Sequence, residues 1–215
     1  MSSRLRTKAA APEYWVEAKR ELMKCDRVLK RVIPRYDTGD SLISRGDPFS
    51  TLARSIVGQQ ISVVAAQAVW DRVRAAYPDF TPARLARAKP ERLRKCGLSQ
   101  RKAEYLLDLA AHFKQGGVQT KDWAALDDET IIRALTGIRG IGRWTAEMFL
   151  MFNLMRPDIF PVDDLGLRKA VSLHYFSGES VTLSELREVG QNWAPWRSVG
   201  TWYMWRSLDP LPVEY

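Results

Sequence analysis

The stretch Leu135-Thr-Gly-Ile-Arg-Gly-Ile-Gly-Arg-Trp-Thr-Ala146 carries the strongest indication of the fold. Gly140 and Gly142 lie on either side of Ile141, so the backbone can turn sharply there and approach a ligand without an intervening Cβ. The apolar residues after Arg143 predict a helix, and the first N–H groups of a helix can bind an anion. The same pattern also fits an ordinary helical hairpin, in which glycine only ends the first helix.

A second informative stretch follows about twenty residues later, Phe160-Pro-Val-Asp-Asp-Leu-Gly-Leu-Arg168. Pro157 and Pro161 exclude a continuous helix before it, so a new helix is predicted to begin at Asp163 or Asp164. An aspartate at this position commonly caps a helix, and taken alone the pattern favours capping over catalysis. Because one carboxylate is enough for a cap, the pair also leaves a carboxylate for chemistry.

The composition favours a polyanionic partner. Lysine and arginine total 33 against 25 acidic residues, a formal net charge of +8 among 215 residues. Nucleic acid, an anionic membrane surface and an acidic protein all fit this excess. The sequence has no apolar run that could span a bilayer, and its N-terminus lacks the apolar core of a signal peptide. We therefore expect a soluble cytoplasmic protein.

The cysteines and histidines argue against a metal centre. Cys25 and Cys96 are far apart and have no partners at metal-ligand spacing. A disulfide framework, a zinc site and an iron–sulfur cluster are therefore not expected. His112 and His174 fall within helical patterns and are interpreted as packing or surface residues.

Turn and cap signals divide nearly the whole chain into helices. Asp47-Pro48, Thr81-Pro82 and Lys89-Pro90 each predict a helix start, and Gly58-Gln-Gln-Ile-Ser62 predicts a break between two helices. Further starts are expected at Ser99 and near Asp127. Alternating strand patterns are scarce, so the predicted fold class is all-α, in one domain or two small lobes.

Several of these motifs together resemble the helix-hairpin-helix (HhH-GPD) superfamily of DNA glycosylases, and within it the 3-methyladenine DNA glycosylase II type. The resemblance rests on the two stretches quoted above and on three more motifs: Ile56-Val-Gly-Gln-Gln-Ile-Ser62, Cys96-Gly-Leu-Ser-Gln-Arg-Lys-Ala-Glu-Tyr105 and Trp193-Ala-Pro-Trp-Arg-Ser198. It covers about residues 45 to 206.

This resemblance implies two helical lobes with a DNA-binding cleft between them. Residues 51–163 would form the lobe that ends in the helix-hairpin-helix motif. Residues 164–215 would form the C-terminal lobe, against which the N-terminal segment 1–50 packs. Because only about fifty residues precede the shared region, the N-terminal β domain of some members is not expected.

For the chemistry, the resemblance implies that Asp164 is the catalytic carboxylate, with Asp163 as the second choice if the register slips by one residue. Members that nick DNA carry a lysine two positions after the second hairpin glycine, where this sequence has Trp144. The resemblance thus implies a monofunctional enzyme of base excision repair that flips alkylated purines out of the helix, hydrolyses their N-glycosidic bond and leaves an abasic site.

Other residues receive roles from the same resemblance. The base pocket would contain Trp144, Met148 and Trp205, whereas Trp193, Trp196 and Trp202 are expected in the core. Gln60 would be the wedge that fills the gap in the DNA stack, with Gln59 beside it, although an exposed loop glutamine fits equally well. Phosphate binding is assigned to Gly140, Gly142, Arg143 and Thr145, with further contacts possible from Arg101, Lys102 and Arg139. A sodium or potassium ion could bind the main-chain carbonyls of Thr136, Ile138 and Ile141; no other cofactor is expected.

The expected partner is double-stranded DNA with alkylated bases, bound by a monomer. Two other functions remain open. A non-enzymatic helix-hairpin-helix DNA-binding module would explain the glycines and the charge, but not Asp164 before Leu-Gly-Leu or the Gln-Gln pair. A glycosylase for mismatched or oxidised bases is the second. The missing lysine argues against its lyase members, and the missing cysteine quartet argues against its iron–sulfur members.

Overall fold

The computed structural model describes residues 11–116 and 123–208. In this part of the chain the secondary structure consists of twelve α-helices and contains no strand, which agrees with the predicted all-α class. None of these helices is long and apolar enough to cross a membrane.

The helices have the following bounds: α1 Trp15–Cys25, α2 Leu29–Tyr36, α3 Pro48–Gly58, α4 Val63–Ala76, α5 Pro82–Leu85, α6 Pro90–Lys95, α7 Gln100–Lys114, α8 Asp128–Thr136, α9 Arg143–Phe152, α10 Leu165–Tyr175, α11 Leu183–Gln191 and α12 Arg197–Leu208.

The described chain divides into two compact units. Unit one consists of residues 11–44 and 154–208, and unit two consists of residues 45–116 and 123–153. These boundaries differ from the predicted ones at residues 50 and 163. Unit two starts earlier because the backbone N–H of Arg45 donates to Phe152 O at 2.9 Å. The Asn153 side chain also donates to Gly46 O at 2.8 Å, so the two ends of unit two are joined.

Most helix starts follow from local capping. The side chains of Asp47, Ser62, Thr81, Ser99 and Asp127 each accept a hydrogen bond from the backbone N–H three residues later. Such a bond satisfies one of the N–H groups that the helix leaves without an acceptor. The positions at which caps and prolines predicted helix starts are therefore confirmed.

The core of unit two surrounds α9. Every residue from Thr145 to Phe152 is buried, so this helix is enclosed on all sides rather than amphipathic. An aromatic cluster supports α3, where the ring of Phe49 lies 5.2 Å from Phe80 and 5.3 Å from Phe113 between centroids. Burial holds α9 in place and the aromatic contacts hold α3. These two helices adjoin the loops described below.

The core of unit one surrounds α12 in the same way. Residues Ser198 to Arg206 of this helix are all buried, and the ring of Trp202 lies edge-on against Trp15 at 5.2 Å. Trp193 is fully buried, and its indole N–H donates to Asp26 Oδ2 at 3.2 Å. Trp196, which we expected in the core, is half-buried and stacks on Tyr14. Trp193 and Trp196 both lie before the first residue of α12.

Candidate functional site

Asp164 is a buried carboxylate in unit one, held by two N–H donors. It is the N-cap of α10 and has 5% of its surface exposed. Its Oδ1 atom accepts hydrogen bonds from the backbone N–H of Leu167 at 2.6 Å and from the indole Nε1 of Trp205 at 2.8 Å. Asp164 therefore does serve as a helix cap, and Trp205 additionally fixes the orientation of its carboxylate.

The Leu-Gly-Leu sequence after Asp164 has a steric explanation. A Cβ at Gly166 would lie 3.2 Å from Asp164 Oδ1 and 3.2 Å from Trp205 Cδ1, so the missing side chain allows the indole to reach the carboxylate. Asp163, in contrast, is exposed to solvent. The two adjacent aspartates thus have different environments, and only Asp164 has the fixed, partly desolvated geometry that suits a reacting carboxylate.

The segment before Asp164 is attached firmly to the start of α12. Ser198 Oγ donates to Arg156 O at 2.6 Å and accepts from the backbone N–H of Ile159 at 2.9 Å. The guanidinium of Arg197 forms a bidentate pair with Asp158, with N–O distances of 2.7 and 2.8 Å. These contacts hold the chain that leads to Asp164 on the same helix that supplies Trp205.

The glycine hairpin, residues 137–142, connects α8 to α9 in unit two. Ile138 and Ile141 are buried and anchor it in the core. Gly140 has a φ of +85°, and a Cβ there would lie 2.2 Å from the Tyr105 ring. Both the backbone conformation and the close approach of Tyr105 therefore require glycine at position 140.

Gly142 differs from Gly140 because no contact within the described residues requires glycine there. It is the N-cap of α9 with an extended backbone, and a Cβ there would meet no atom of the described part of the chain within 4 Å. The open space lies at a helix N-terminus, where the N–H groups of the first turn have no acceptor within the helix. An anion could approach this backbone closely, which is the arrangement expected for phosphate binding.

Of the side chains predicted to contact phosphate, Arg143 already has two partners within the protein. Its Nε donates to the buried carboxylate of Glu147 at 3.0 Å, and its terminal nitrogens pair with Glu129. These carboxylates, Glu129 first, raise the pKa of the Arg143 guanidinium. The Thr145 side chain is buried, and this residue can serve an anion only through its backbone N–H. Arg143 therefore supports the hairpin, and the backbone N–H groups are the better candidates for binding phosphate.

A cavity of about 340 Å³ in unit two brings several predicted site residues together. Trp144, Met148 and Gln60 all line it, beside Ile61 and Val63. Its volume and mainly apolar lining suit a small organic ligand. Trp205 belongs to unit one, where its indole N–H is bonded to Asp164 and positions that carboxylate; its place in the base pocket stays a prediction.

The Gln-Gln loop, residues 58–62, separates α3 from α4. Gln60 is exposed and has a left-handed φ of +59°. The side chain of Gln59 donates instead to Gly140 O at 2.7 Å, so it is engaged within unit two and is not available as a wedge. This narrows the predicted wedge pair to Gln60.

Lys102 was among the side chains that the resemblance offered as further phosphate contacts, but its ammonium group is engaged within unit two. Its ammonium group donates to Val57 O at 2.7 Å and to Gln59 O at 2.6 Å. Burial lowers the pKa of this amine. The Leu-Ser-Gln-Arg-Lys-Ala-Glu-Tyr motif indicated that this segment has a function. It could not predict that Lys102 contacts residues more than forty positions away in the sequence.

The helical fold, the glycine hairpin and the buried Asp164 agree with one known family of DNA repair proteins. Residues 53–195 match the family model described as HhH-GPD superfamily base excision DNA repair protein. The chain belongs to this superfamily.

Within the superfamily, the most informative relatives are named 3-methyladenine glycosylases. The DNA-3-methyladenine glycosylase 1 of Schizosaccharomyces pombe is 32% identical over 185 residues, which cover 83% of this chain and 80% of the relative. Several other relatives are longer, and the chain spans between 60% and 66% of their length.

Solved structures give the same result. A crystal structure of DNA-3-methyladenine glycosidase from Bacillus halodurans aligns with a TM-score of 0.82 at 35% identity, covering 90% of this chain and 89% of that one. The S. pombe 3-methyladenine DNA glycosylase Mag1, in complex with abasic DNA, aligns with a TM-score of 0.76 at 28% identity, covering 92% and 100%.

Proposed function

We propose that this protein is a monofunctional DNA glycosylase that removes alkylated purines of the 3-methyladenine type from double-stranded DNA and leaves an abasic site. The observation that carries the proposal is the buried Asp164 carboxylate, fixed by Leu167 N–H and Trp205 Nε1. The names of the relatives and the abasic DNA bound to one of them support both the reaction and the partner.

The hairpin would bind the DNA backbone. The N–H groups of Gly142 and of the first turn of α9 would contact one phosphate, and the open space at Gly142 would allow its oxygens to approach. The net charge of +8 adds non-specific attraction to the duplex. No step requires a second copy of the chain, so the proposed enzyme acts as a monomer inside the cell.

The target base would leave the stack before reaction. Flipping costs a few kcal/mol and costs least for a damaged base, so part of the selectivity arises before the pocket is occupied. The cavity that contains Trp144 and Met148 would receive the base. An indole face attracts a cationic methylated purine more strongly than a neutral base.

Asp164 would act on the sugar. As the bond between C1′ and the base nitrogen breaks, its electron pair leaves with the base and positive charge develops on the deoxyribose. A fixed carboxylate stabilises that charge. Water then adds its oxygen to C1′ and loses a proton, to the carboxylate or to solvent. A methylated purine that starts as a cation leaves as a neutral base, so it needs little protonation.

The position of Trp144 argues for simple hydrolysis. Family members that form a Schiff base carry a lysine there, whereas an indole cannot form a covalent bond to C1′. We therefore expect release of the base without cleavage of the DNA strand.

A monovalent cation is proposed at the hairpin. Thr136, Ile138 and Ile141 line one hollow of about 550 Å³, and their main-chain carbonyls would supply oxygen ligands, which suit a hard cation. Ile138 O accepts the N–H of Ile141 at 3.1 Å, and a carbonyl oxygen has a second lone pair for an ion. The ion would hold the hairpin in its binding conformation. Replacing sodium or potassium by choline at constant ionic strength should then weaken DNA binding, and unchanged affinity would refute this site.

The glycosylase proposal is tested with duplex DNA that carries radiolabelled methyl groups on its purines. Chromatography should show free methylated purines, and the DNA should become sensitive to alkali but remain intact without it. Binding without base release would instead support a DNA-binding module. Trapping of a covalent complex with borohydride would contradict the monofunctional assignment.

A further inference from the structure

The Gln-Gln loop and the glycine hairpin are directly joined. The side-chain amide of Gln59 donates to Gly140 O at 2.7 Å, across 81 residues of sequence. The bond reaches the one residue of the hairpin that both its φ and the neighbouring Tyr105 ring restrict to glycine. A shift of the hairpin backbone would therefore move the side chain of Gln59 or break its hydrogen bond.

Lys102 holds the other side of the same loop. Its ammonium group binds the carbonyl oxygens of Val57 and Gln59 at 2.7 and 2.6 Å, at the C-terminus of α3. A cation is favourable at this end of a helix, where the carbonyls have no partner within it. The two bonds fix the backbone immediately before Gln60.

Gln60 needs such support. A left-handed conformation in a residue other than glycine is unfavourable and persists only where its surroundings impose it. Its φ is +59° and its side chain is exposed, so packing of that side chain does not impose the conformation. The neighbouring contacts of Gln59 and Lys102 supply the restraint.

Helix α7 supports both loops. Besides Lys102, it provides the ring of Tyr105 against Gly140 and the carboxylate of Asp108, which accepts the backbone N–H of Arg139 at 2.9 Å. Lys102, Tyr105 and Asp108 follow one another at intervals of three residues along α7. One face of this helix therefore contacts both the hairpin and the Gln-Gln loop.

We propose that Lys102 and Gln59 are positioning residues that couple binding of the DNA backbone at the hairpin to insertion of Gln60 into the DNA stack. This inference rests on the proposed glycosylase function. Lys102 would act inside the protein, through the backbone of the loop, and would not be one of the phosphate contacts. The coupling would present Gln60 in its inserted conformation before the base is flipped, so that less ordering is needed at that step.

The test compares Lys102→Met, Gln59→Met and the double variant with the wild-type protein. Lys114→Met, an exposed lysine in the last turn of the same helix, is the matched control. Insertion is read from the fluorescence of 2-aminopurine placed beside a tetrahydrofuran abasic analogue in a duplex. Single-turnover base release at saturating methylated DNA, affinity for undamaged duplex and its salt dependence are measured in parallel.

We expect Lys102→Met to lower the fluorescence change and to slow base release by about tenfold or more, the effect of losing hydrogen bonds from a charged donor. Affinity for undamaged duplex should stay within about twofold of the wild-type value. Such binding is independent of sequence, and the Gln-Gln loop contributes little to it. Gln59→Met should act in the same direction. The double variant should lose less than the sum of the two effects, because both residues act through one loop.

Hydrogen exchange of the free protein separates these roles further. Amides of residues 58–62 should exchange faster in Lys102→Met than in the wild-type protein, and at the wild-type rate in Lys114→Met. Lys102→Arg should retain insertion of Gln60. If the slope of log affinity against log salt falls by about 0.9 in Lys102→Met while insertion is normal, Lys102 is a phosphate contact and the proposal is wrong. Normal insertion and normal base release in both single variants would also overturn it.

These readouts stay informative if the glycosylase assignment fails. A wild-type protein that releases no base from methylated DNA would refute the proposed function. The fluorescence change on the abasic duplex and the exchange of the loop would still show whether Lys102 and Gln59 position Gln60.

Discussion

The indole Nε1 of Trp205 donates a 2.8 Å hydrogen bond to Oδ1 of Asp164, across 41 residues of sequence and within one structural unit. The bond adds to the cap bond that Asp164 makes with Leu167. A carboxylate held in this way keeps its orientation, and the indole of Trp205 is the side-chain donor that mutagenesis can remove.

Asp164→Asn should abolish base release and leave DNA binding nearly unchanged. Asparagine caps a helix as well as aspartate does, so α10 should persist, whereas the charge that stabilises the sugar is lost. We expect the single-turnover rate to fall by about 1000-fold. Asp163→Asn is the matched control, because Asp163 is exposed; a greater loss from that variant would reassign the reacting carboxylate.

Trp205→Phe should slow base release by about 10- to 100-fold, because it removes one hydrogen bond to a charged acceptor while keeping an aromatic ring. Affinity for DNA that contains an abasic analogue should change little. Trp202→Phe, a similarly buried indole that packs on Trp15, controls for damage to the core. Equal rates in wild type and Trp205→Phe would show that the indole N–H does not orient Asp164.

Gly142→Ala should weaken DNA binding, whereas Gly140→Ala should lower folding stability. An added Cβ at Gly142 meets no atom of residues 11–116 and 123–208, so thermal unfolding should be unchanged while DNA affinity falls by about tenfold through the lost phosphate contact. At Gly140 the Cβ meets Tyr105 and the φ is +85°, so this variant should lose about 2 kcal/mol or more of folding stability. Unaltered DNA affinity in Gly142→Ala would contradict phosphate binding at this helix end.

Trp144→Leu should lower the preference for cationic bases. Its indole lines the 340 Å³ cavity, and a cation–π contact contributes about 0.5 to 2 kcal/mol. The ratio of 7-methylguanine release to hypoxanthine release should therefore fall by about 2- to 30-fold, and less in Trp144→Phe, which keeps a π-face. A ratio that does not move would show that the indole face does not select the charged base.

Arg143→Met should affect stability more than DNA binding. The substitution removes a partner from the buried Glu147, which should cost about 1 to 3 kcal/mol of folding free energy by chemical denaturation. The slope of log affinity against log salt should stay the same, because the guanidinium is already paired with two carboxylates. A slope smaller by about 0.9 would instead identify Arg143 as a phosphate ligand.

Local chemistry was readable from the sequence. The caps at Asp47, Ser62 and Ser99 and the prolines at helix starts act within four residues, so they predict where helices begin. The sharp turn around Gly140 was predicted for the same reason, and the left-handed φ of this glycine agrees with it.

Contacts between distant segments were not readable. The bond from Gln59 to Gly140 and the two bonds of Lys102 depend on how α3, α7 and the hairpin pack, and no local pattern encodes that packing. The charge pattern was equally ambiguous. Arg143 was predicted to contact phosphate, yet Glu147 on α9 and Glu129 on α8 form ion pairs with its guanidinium.

The order of the chain also bears on synthesis. Residues 45–153 are contiguous, and bonds between Arg45 and Phe152 and between Gly46 and Asn153 join their ends. The other unit needs segments from both sides of that insertion. On the ribosome, the hairpin can therefore reach its folded environment before α10 and α12 are made, since domains tend to fold as units during translation. Asp164 and Trp205 meet only at the end, so in a nascent chain the proposed DNA-binding hairpin would form before the proposed reactive carboxylate is oriented.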